Sequence, residues 1–293
     1  MHDPCRLPRR ALLRLLATVG TLAALPALSE DAVGPLRLGV VPYLPVRQLL
    51  GLYQPIANLA GQVMARPVRI FSASDFERFL AEARRGEFDL LGVSAHFARI
   101  LQREHGWVPL ARAAAAQESV IVVPQGARLT KLEGLRGLRV AVSDRLALHV
   151  LTALHHMRDA GLKPGLDVTL VSCGSQANAL TRMGLGEADA AIGSVVTIRQ
   201  LKPELSAQIR VLSAAPKALT PLAYLAHPRW AASVPALRQA LLAFPATPDG
   251  QAMMAATQHG GIVPLTEAEL TTLDDDVAEY YRQRALQVDT GTS

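Results

Sequence analysis

Seven residues stand where this chain could grip a small solute: Tyr43, Ser94, His96, Ser119, Arg145, Gln176 and Ser194. They are hydroxyl, imidazole, guanidinium and amide groups, and what they can do together is donate hydrogen bonds to a polar or anionic molecule. Ser94 ends a strand pattern and opens a helical one, so its hydroxyl and the N–H groups after it can contact an anion; the same serine can serve as a plain N-cap. His96, in the following turn, reads either as a donor to a ligand oxygen or as partly exposed surface. Tyr43 sits in the turn after the first strand, at the carboxyl end where α/β clefts bind ligands, and offers both an apolar face and a hydroxyl, or else packs on Pro45. Arg145 turned inward would present a planar fork to an oxyanion; turned outward it would pair with Asp144.

Chemistry beyond binding lacks a starting constellation. The chain has no nucleophile elbow, no Gly-rich phosphate loop and no His-Glu-x-x-His, so an enzyme is not expected. His149 and His156 lie two helical turns apart, too far to share one zinc, and His155 brings no Cys or carboxylate with it, so neither a metal nor another cofactor is expected. Cys173 follows a strand and reads either as a small core residue or as a soft contact near a cleft mouth.

The elements that must position these groups repeat. Val68–Ala95 and Val168–Val195 overlay without gaps, with Val68 on Val168, Ser72 on Ser172, Leu80 on Leu180, Gly86 on Gly186, Asp89 on Asp189 and Ser94 on Ser194. Each copy reads strand, helix, Gly-Glu-x-Asp turn, strand, which is one βαβ unit. A further matching strand precedes each copy, Leu36–Val41 (LRLGVV) and Leu138–Ser143 (LRVAVS). The chain therefore predicts two similar α/β lobes with a cleft between them, and Gln176 and Ser194 fall at cleft-facing positions of the second copy. Glu118–Pro124, carrying Ser119, reads as a strand crossing between the lobes, and the return crossing runs through Ala214–Leu225. Helices are expected at 46–61, 95–105, 234–244, 248–259 and 266–287, the last three closing on the first lobe. The expected organisation is lobe 1 over 30–118 and 222–293, lobe 2 over 119–221, and a leader over 1–29.

That leader has Arg6, Arg9, Arg10 and Arg14 around the start of an apolar stretch that ends at Ala27–Ser29, the pattern of a secretory signal peptide, and Arg9–Arg10 also fits a twin-arginine export signal. It carries four Arg and one Asp, so its removal lowers the net charge from +5 to +2. The remaining Arg residues are scattered among acids, which argues against nucleic acid as a partner. Cys5 leaves with the leader, and Cys173 alone cannot form an intramolecular disulfide.

Gly39–Tyr43 (GVVPY), Tyr53–Leu59 (YQPIANL), Arg85–Gly92 (RGEFDLLG), Glu118–Val123 (ESVIVV) and Leu135–Val142 (LRGLRVAV), in this order behind an export signal, resemble the periplasmic solute-binding proteins of phosphate, phosphite and phosphonate ABC importers. The resemblance covers Leu36–Leu286 and implies a type II periplasmic-binding fold, a monomer that binds a small solute between its lobes, and an ABC permease as partner. A sensing module that feeds a membrane receptor kinase would use the same cleft. Members of the family resemble one another in a hydroxyl cluster at the start of the second-lobe helix, where this chain has Asp144–Ala147 (DRLA); they tend to a His at the position of Gln176 and a Tyr near Phe97–Ala98. Asp144 would compete for the helix N–H donors, so the expectation is weak binding of simple phosphonates and a grip centred on Tyr43, Ser94 and His96.

Overall fold

The computed structural model describes residues 34–289 apart from positions 45 and 200, so the expected leader lies outside the described residues. In chain order the elements are β1 (Leu36–Val40), α1 (Val46–Met64), β2 (Val68–Phe71), α2 (Phe76–Arg84), β3 (Leu90–Val93), α3 (Ala95–His105), β4 (Val108–Ala113), β5 (Gln117–Pro124), β6 (Arg139–Val142), α4 (Leu148–Asp159) and β7 (Thr169–Ser172). There follow α5 (Gln176–Gly184), β8 (Ala190–Ser194), α6 (Val195–Arg199), α7 (Pro203–Ser206), β9 (Ile209–Leu219), β10 (Ala223–Ala226), α8 (Val234–Ala243), α9 (Pro248–Thr257), β11 (Ile262–Pro264), α10 (Glu267–Thr271) and α11 (Asp274–Asp289). The strands form two sheets, β11-β4-β10-β3-β1-β2 and β7-β6-β8-β5-β9.

The two repeat copies fall in different sheets, β2-α2-β3 in one and β7-α5-β8 in the other. Their shared residues do the same work twice. Asp75 and Ser175 cap their helices by accepting from the backbone N–H three residues on. Gly86 and Gly186 sit at φ 69° and 77°, a left-handed turn that glycine enters without a Cβ penalty. Asp89 and Asp189 then accept from the backbone N–H of Arg37 and Arg139, both at 2.8 Å, pinning each second strand to the strand that precedes the copy.

Two segments cross between the sheets side by side. Ala113 donates to the Leu222 carbonyl at 3.0 Å, and beyond it Gln117 pairs with Leu219 in the β5–β9 ladder. The sequence pattern hides three strands: β4, whose apolar positions are broken by Pro109 and Arg112; β11, three residues long; and the first half of β9.

The C-terminal end departs from expectation. The single helix over 266–287 is two helices, α10 and α11, and α11 packs against both α3 and α4 instead of closing on the first lobe alone. Its buried polar residues explain the second contact. Asp276 accepts from Thr152 Oγ1 at 2.5 Å and Glu279 takes the Arg158 guanidinium at 2.6 Å, both from α4, while Asp274 pairs with Arg99 of α3 at 2.7 Å. Phe97, Leu101, Leu146, Leu148, Leu151 and Tyr280 join this seam in one buried apolar cluster, each side chain contributing about 1.5–3 kcal/mol by leaving water.

Candidate functional site

A cleft of about 460 Å³ opens at the carboxyl ends of the parallel strands, where the turns after β1, β3, β6 and β7 converge from the two sheets. Tyr43, Ser94 and Gln176 line it. Ser94 is half-buried at the N-cap of α3, and its hydroxyl makes no cap bond, so both it and the first N–H groups of α3 remain free for a ligand. Tyr43 places its hydroxyl 3.0 Å from that of Tyr53; burial pushes the Tyr43 phenol up while this bond pulls it back, so it stays a protonated donor. Gln176 accepts through Oε1 from the Ser194 N–H at 2.9 Å and from Thr197 Oγ1 at 2.8 Å, which fixes the amide and leaves its NH₂ as the available donor.

Four of the sequence-expected residues lie elsewhere, for identifiable reasons. His96 is fully buried in the α3–α11 seam, its ring 4.2 Å from that of Phe97 and 6.0 Å from that of Tyr280, because two residues of helix past Ser94 rotate its side chain from the cleft to the core. Burial holds its imidazole neutral, down to about 3. Ser119 is fully buried on β5 and donates to the His149 carbonyl at 2.5 Å, and Ser194 is fully buried and bonds Thr197. Both position lining residues without lining the cleft. Arg145 turns away and donates to the Leu170 carbonyl at 2.9 Å, the outward of its two orientations, though not to pair with Asp144. The helix it was expected to open starts later, at Leu148, and Asp144 shapes a turn before it by accepting from the Leu146 N–H at 2.7 Å. Cys173 packs with Ala141, Ala179 and Leu180, its thiol pushed up by burial.

Sequence reasoning missed Gln48, Gln117, Ser143, Ser175, Thr197 and His259, and took His149 only as a rejected metal ligand; all seven line the cleft. Ser143 and Ser175 follow β6 and β7, so the rule that found Ser94 at a strand end would have found them. His259 had no local signal. It reaches the cleft because its carbonyl accepts from Ala115 at 2.7 Å beside the crossing segment; it is 7% exposed, its Nδ1 has no partner among the described residues, and burial brings it down to about 4. Burial likewise brings His149 down to about 4, with Nε2 3.0 Å from Ser143 Oγ.

The cleft is therefore polar but nearly uncharged. Among the described lining residues there is no Lys or Arg and one carboxylate, Asp144. Two helix N-termini open onto it from opposite sheets, α3 and α4, and neither carries a side-chain cap, since Ala147 at the start of α4 has no polar atom to offer. As the sequence Asp144–Ala147 implies, the start of α4 brings no hydroxyl of its own, and Ser143, Ser175 and Thr197 contribute hydroxyls to the cleft wall. Such an arrangement can surround a small oxyanion with neutral donors from both sides.

A family model described as the phosphonate periplasmic substrate-binding protein of ABC transporters matches residues 38–270. No curated protein sequence matches. Among solved structures, XAC2383 from Xanthomonas citri bound to ATP is similar with a TM-score of 0.73 at 18% identity, over 86% of this chain and 99% of that one. PhnD1 from Prochlorococcus marinus in complex with methylphosphonate gives 0.68 at 13% identity, over 88% and 98%. The periplasmic aliphatic sulphonate binding protein SsuA from Escherichia coli gives 0.59 at 19% identity, over 87% and 94%.

Proposed function

This chain belongs to the periplasmic substrate-binding proteins of phosphonate ABC transporters, and we propose that it captures a small solute with an oxyanion head in the cleft between its lobes, residues 30–118 with 222–293 and residues 119–221. It acts in the periplasm as a monomer after export has removed residues 1–29, performs no chemistry on the solute, and hands it to an ABC permease. The observation that carries this reading is the cleft itself: uncapped α3 and α4 N-termini facing one space from opposite sheets, with Ser94, Ser143 and Gln176 beside them and no Lys or Arg among the described residues that line it. Helix N–H groups and hydroxyls bind an oxyanion through dipoles, and lobe closure removes the competing water. Methylphosphonate, ATP and aliphatic sulphonate, the solutes named for the three similar structures, each carry tetrahedral oxyanion groups.

The test is thermal unfolding of the chain from Glu30 onward in methylphosphonate, phosphite, phosphate and methanesulfonate. A ligand at a hundred times its dissociation constant adds about 2.7 kcal/mol of stability. Ser94→Ala should lower affinity for the best binder about tenfold, the equivalent of roughly 1.4 kcal/mol, while leaving ligand-free unfolding unchanged, because the hydroxyl makes no cap bond to α3 and bonds nothing among the described residues. Absence of a shift with every oxyanion would defeat the proposal.

A further inference from the structure

Asp144 is out of place in an anion site. It is the only carboxylate among the described residues that line the cleft, and it shares a wall with Ala147 and Leu148, at the open end of α4. Its Oδ1 is taken by the Leu146 N–H at 2.7 Å, whereas no group among the described residues bonds Oδ2. The neighbouring cation does not neutralise it across the cleft, because the Arg145 guanidinium is spent on the Leu170 carbonyl. The other groups around it are Asp75 and Glu77 at the start of α2, His149 in the first turn of α4, and Tyr43 and His259 in the same cleft. Burial pushes the Asp144 carboxyl up, the Leu146 N–H opposes this, Asp75 and Glu77 add to it, and Arg145 opposes it least.

An oxyanion seated on the α4 N–H groups brings an oxygen against this carboxylate. If both are bare, like charges meet in a half-buried cleft and binding is lost. If one proton lies between them, the contact becomes a charge-assisted O–H···O⁻ hydrogen bond, among the strongest available. A phosphonate or phosphate monoanion still carries a P–OH near neutrality, whereas a sulfonate is fully ionised and carries no proton. Resting on the oxyanion reading above, we infer that Asp144 is a specificity-determining residue that accepts a hydrogen bond from the ligand's own hydroxyl, admitting proton-bearing oxyanions and rejecting sulfonates.

Titration calorimetry with methylphosphonate and methanesulfonate, at pH 7 and pH 5, on the wild-type chain and on Asp144→Asn tests this. Asparagine keeps an oxygen for the Leu146 N–H, and ligand-free unfolding checks that the variant folds. The wild type should prefer methylphosphonate by about tenfold or more at pH 7, with methanesulfonate gaining as pH falls and Asp144 itself supplies the proton. In Asp144→Asn the preference should close, mainly through a gain for methanesulfonate that no longer depends on pH. Equal wild-type affinities at pH 7, or a preference unchanged in the variant, would overturn the inference while leaving oxyanion binding intact. Binding of neither anion by the wild type at either pH would overturn the oxyanion reading and this inference with it.

Discussion

Glu279 ties α11 to α4, and its replacement by Gln measures what that tie contributes. The carboxylate side chain is 0% exposed and takes Arg158 Nε at 2.6 Å, Arg282 Nε at 2.8 Å and Gln283 Nε2 at 2.9 Å. Glutamine keeps the shape and one acceptor oxygen but loses the charge, and its NH₂ must face donors. Removing one partner of a buried pair costs about 3–5 kcal/mol where the remaining charge stays dry. Here water reaches the survivors, since the Arg158 and Arg282 side chains are 25% and 45% exposed. The Arg282 contact is an i,i+3 pair of modest worth, so the expected loss is about 2–3 kcal/mol. For a chain of this size that lowers Tm by about 5–10 °C. The loss should also depend on pH. Burial alone would push the Glu279 carboxyl up, but hydrogen bonds from Arg158, Gln283 and Arg282 outweigh it and hold the group below its ordinary value. A carboxyl lower in the folded than in the unfolded chain stabilises fully above the unfolded value of about 4.3, and that contribution disappears as pH falls through the folded value. Calorimetric unfolding of wild type and Glu279→Gln at pH 7, 5 and 3.5 should therefore show a gap that is full at the first two and narrows at the third. A drop under about 2 °C at pH 7, less than 1 kcal/mol by the same scaling, or a gap that persists undiminished in acid, would refute the reasoning.

Two further expectations separate equivalent or similar residues. Asp89 and Asp189 are repeat partners, but Asp89 also accepts from Arg229 Nε at 3.0 Å and Trp230 Nε1 at 2.7 Å, so Asp89→Ala should cost about 2–4 kcal/mol in urea unfolding and Asp189→Ala about 1; equal losses would mean that only the shared backbone bond matters. His96, held down to about 3, and His149 and His259, both to about 4, should show no ring titration by NMR between pH 5 and 8. All three bind protons more weakly folded than unfolded, so they stabilise fully above about pH 6.5 and progressively less as pH falls towards 4; a ring titrating near 6.5 in the folded chain would show that its site is wet.

What the sequence determined by itself is the part of this protein written in local pattern. Strand-helix-strand order, the Asp75 and Ser175 caps, the Gly86 and Gly186 turns and the strand-end position of Ser94 all depend on residues a few positions apart, and a duplication exposes them twice. The two-lobed fold follows, as does a cleft holding Tyr43, Ser94 and Gln176. Tertiary structure decided what local spacing cannot encode. His96 and Ser94 are two residues apart, yet helix rotation sends one to the core and leaves the other on the cleft wall. Arg145 left the site because the turn closed by Asp144 delays α4 to Leu148 and carries the guanidinium towards β7. His259 joined it only because the chain beyond α9 pairs with the crossing segment at Ala115, a contact between residues far apart in sequence. Whether α11 served one lobe or both was likewise settled by burial: Asp276 and Glu279 could leave water only where Thr152 and Arg158 of α4 met them, because a buried carboxylate without such partners costs more than the helix gains by packing.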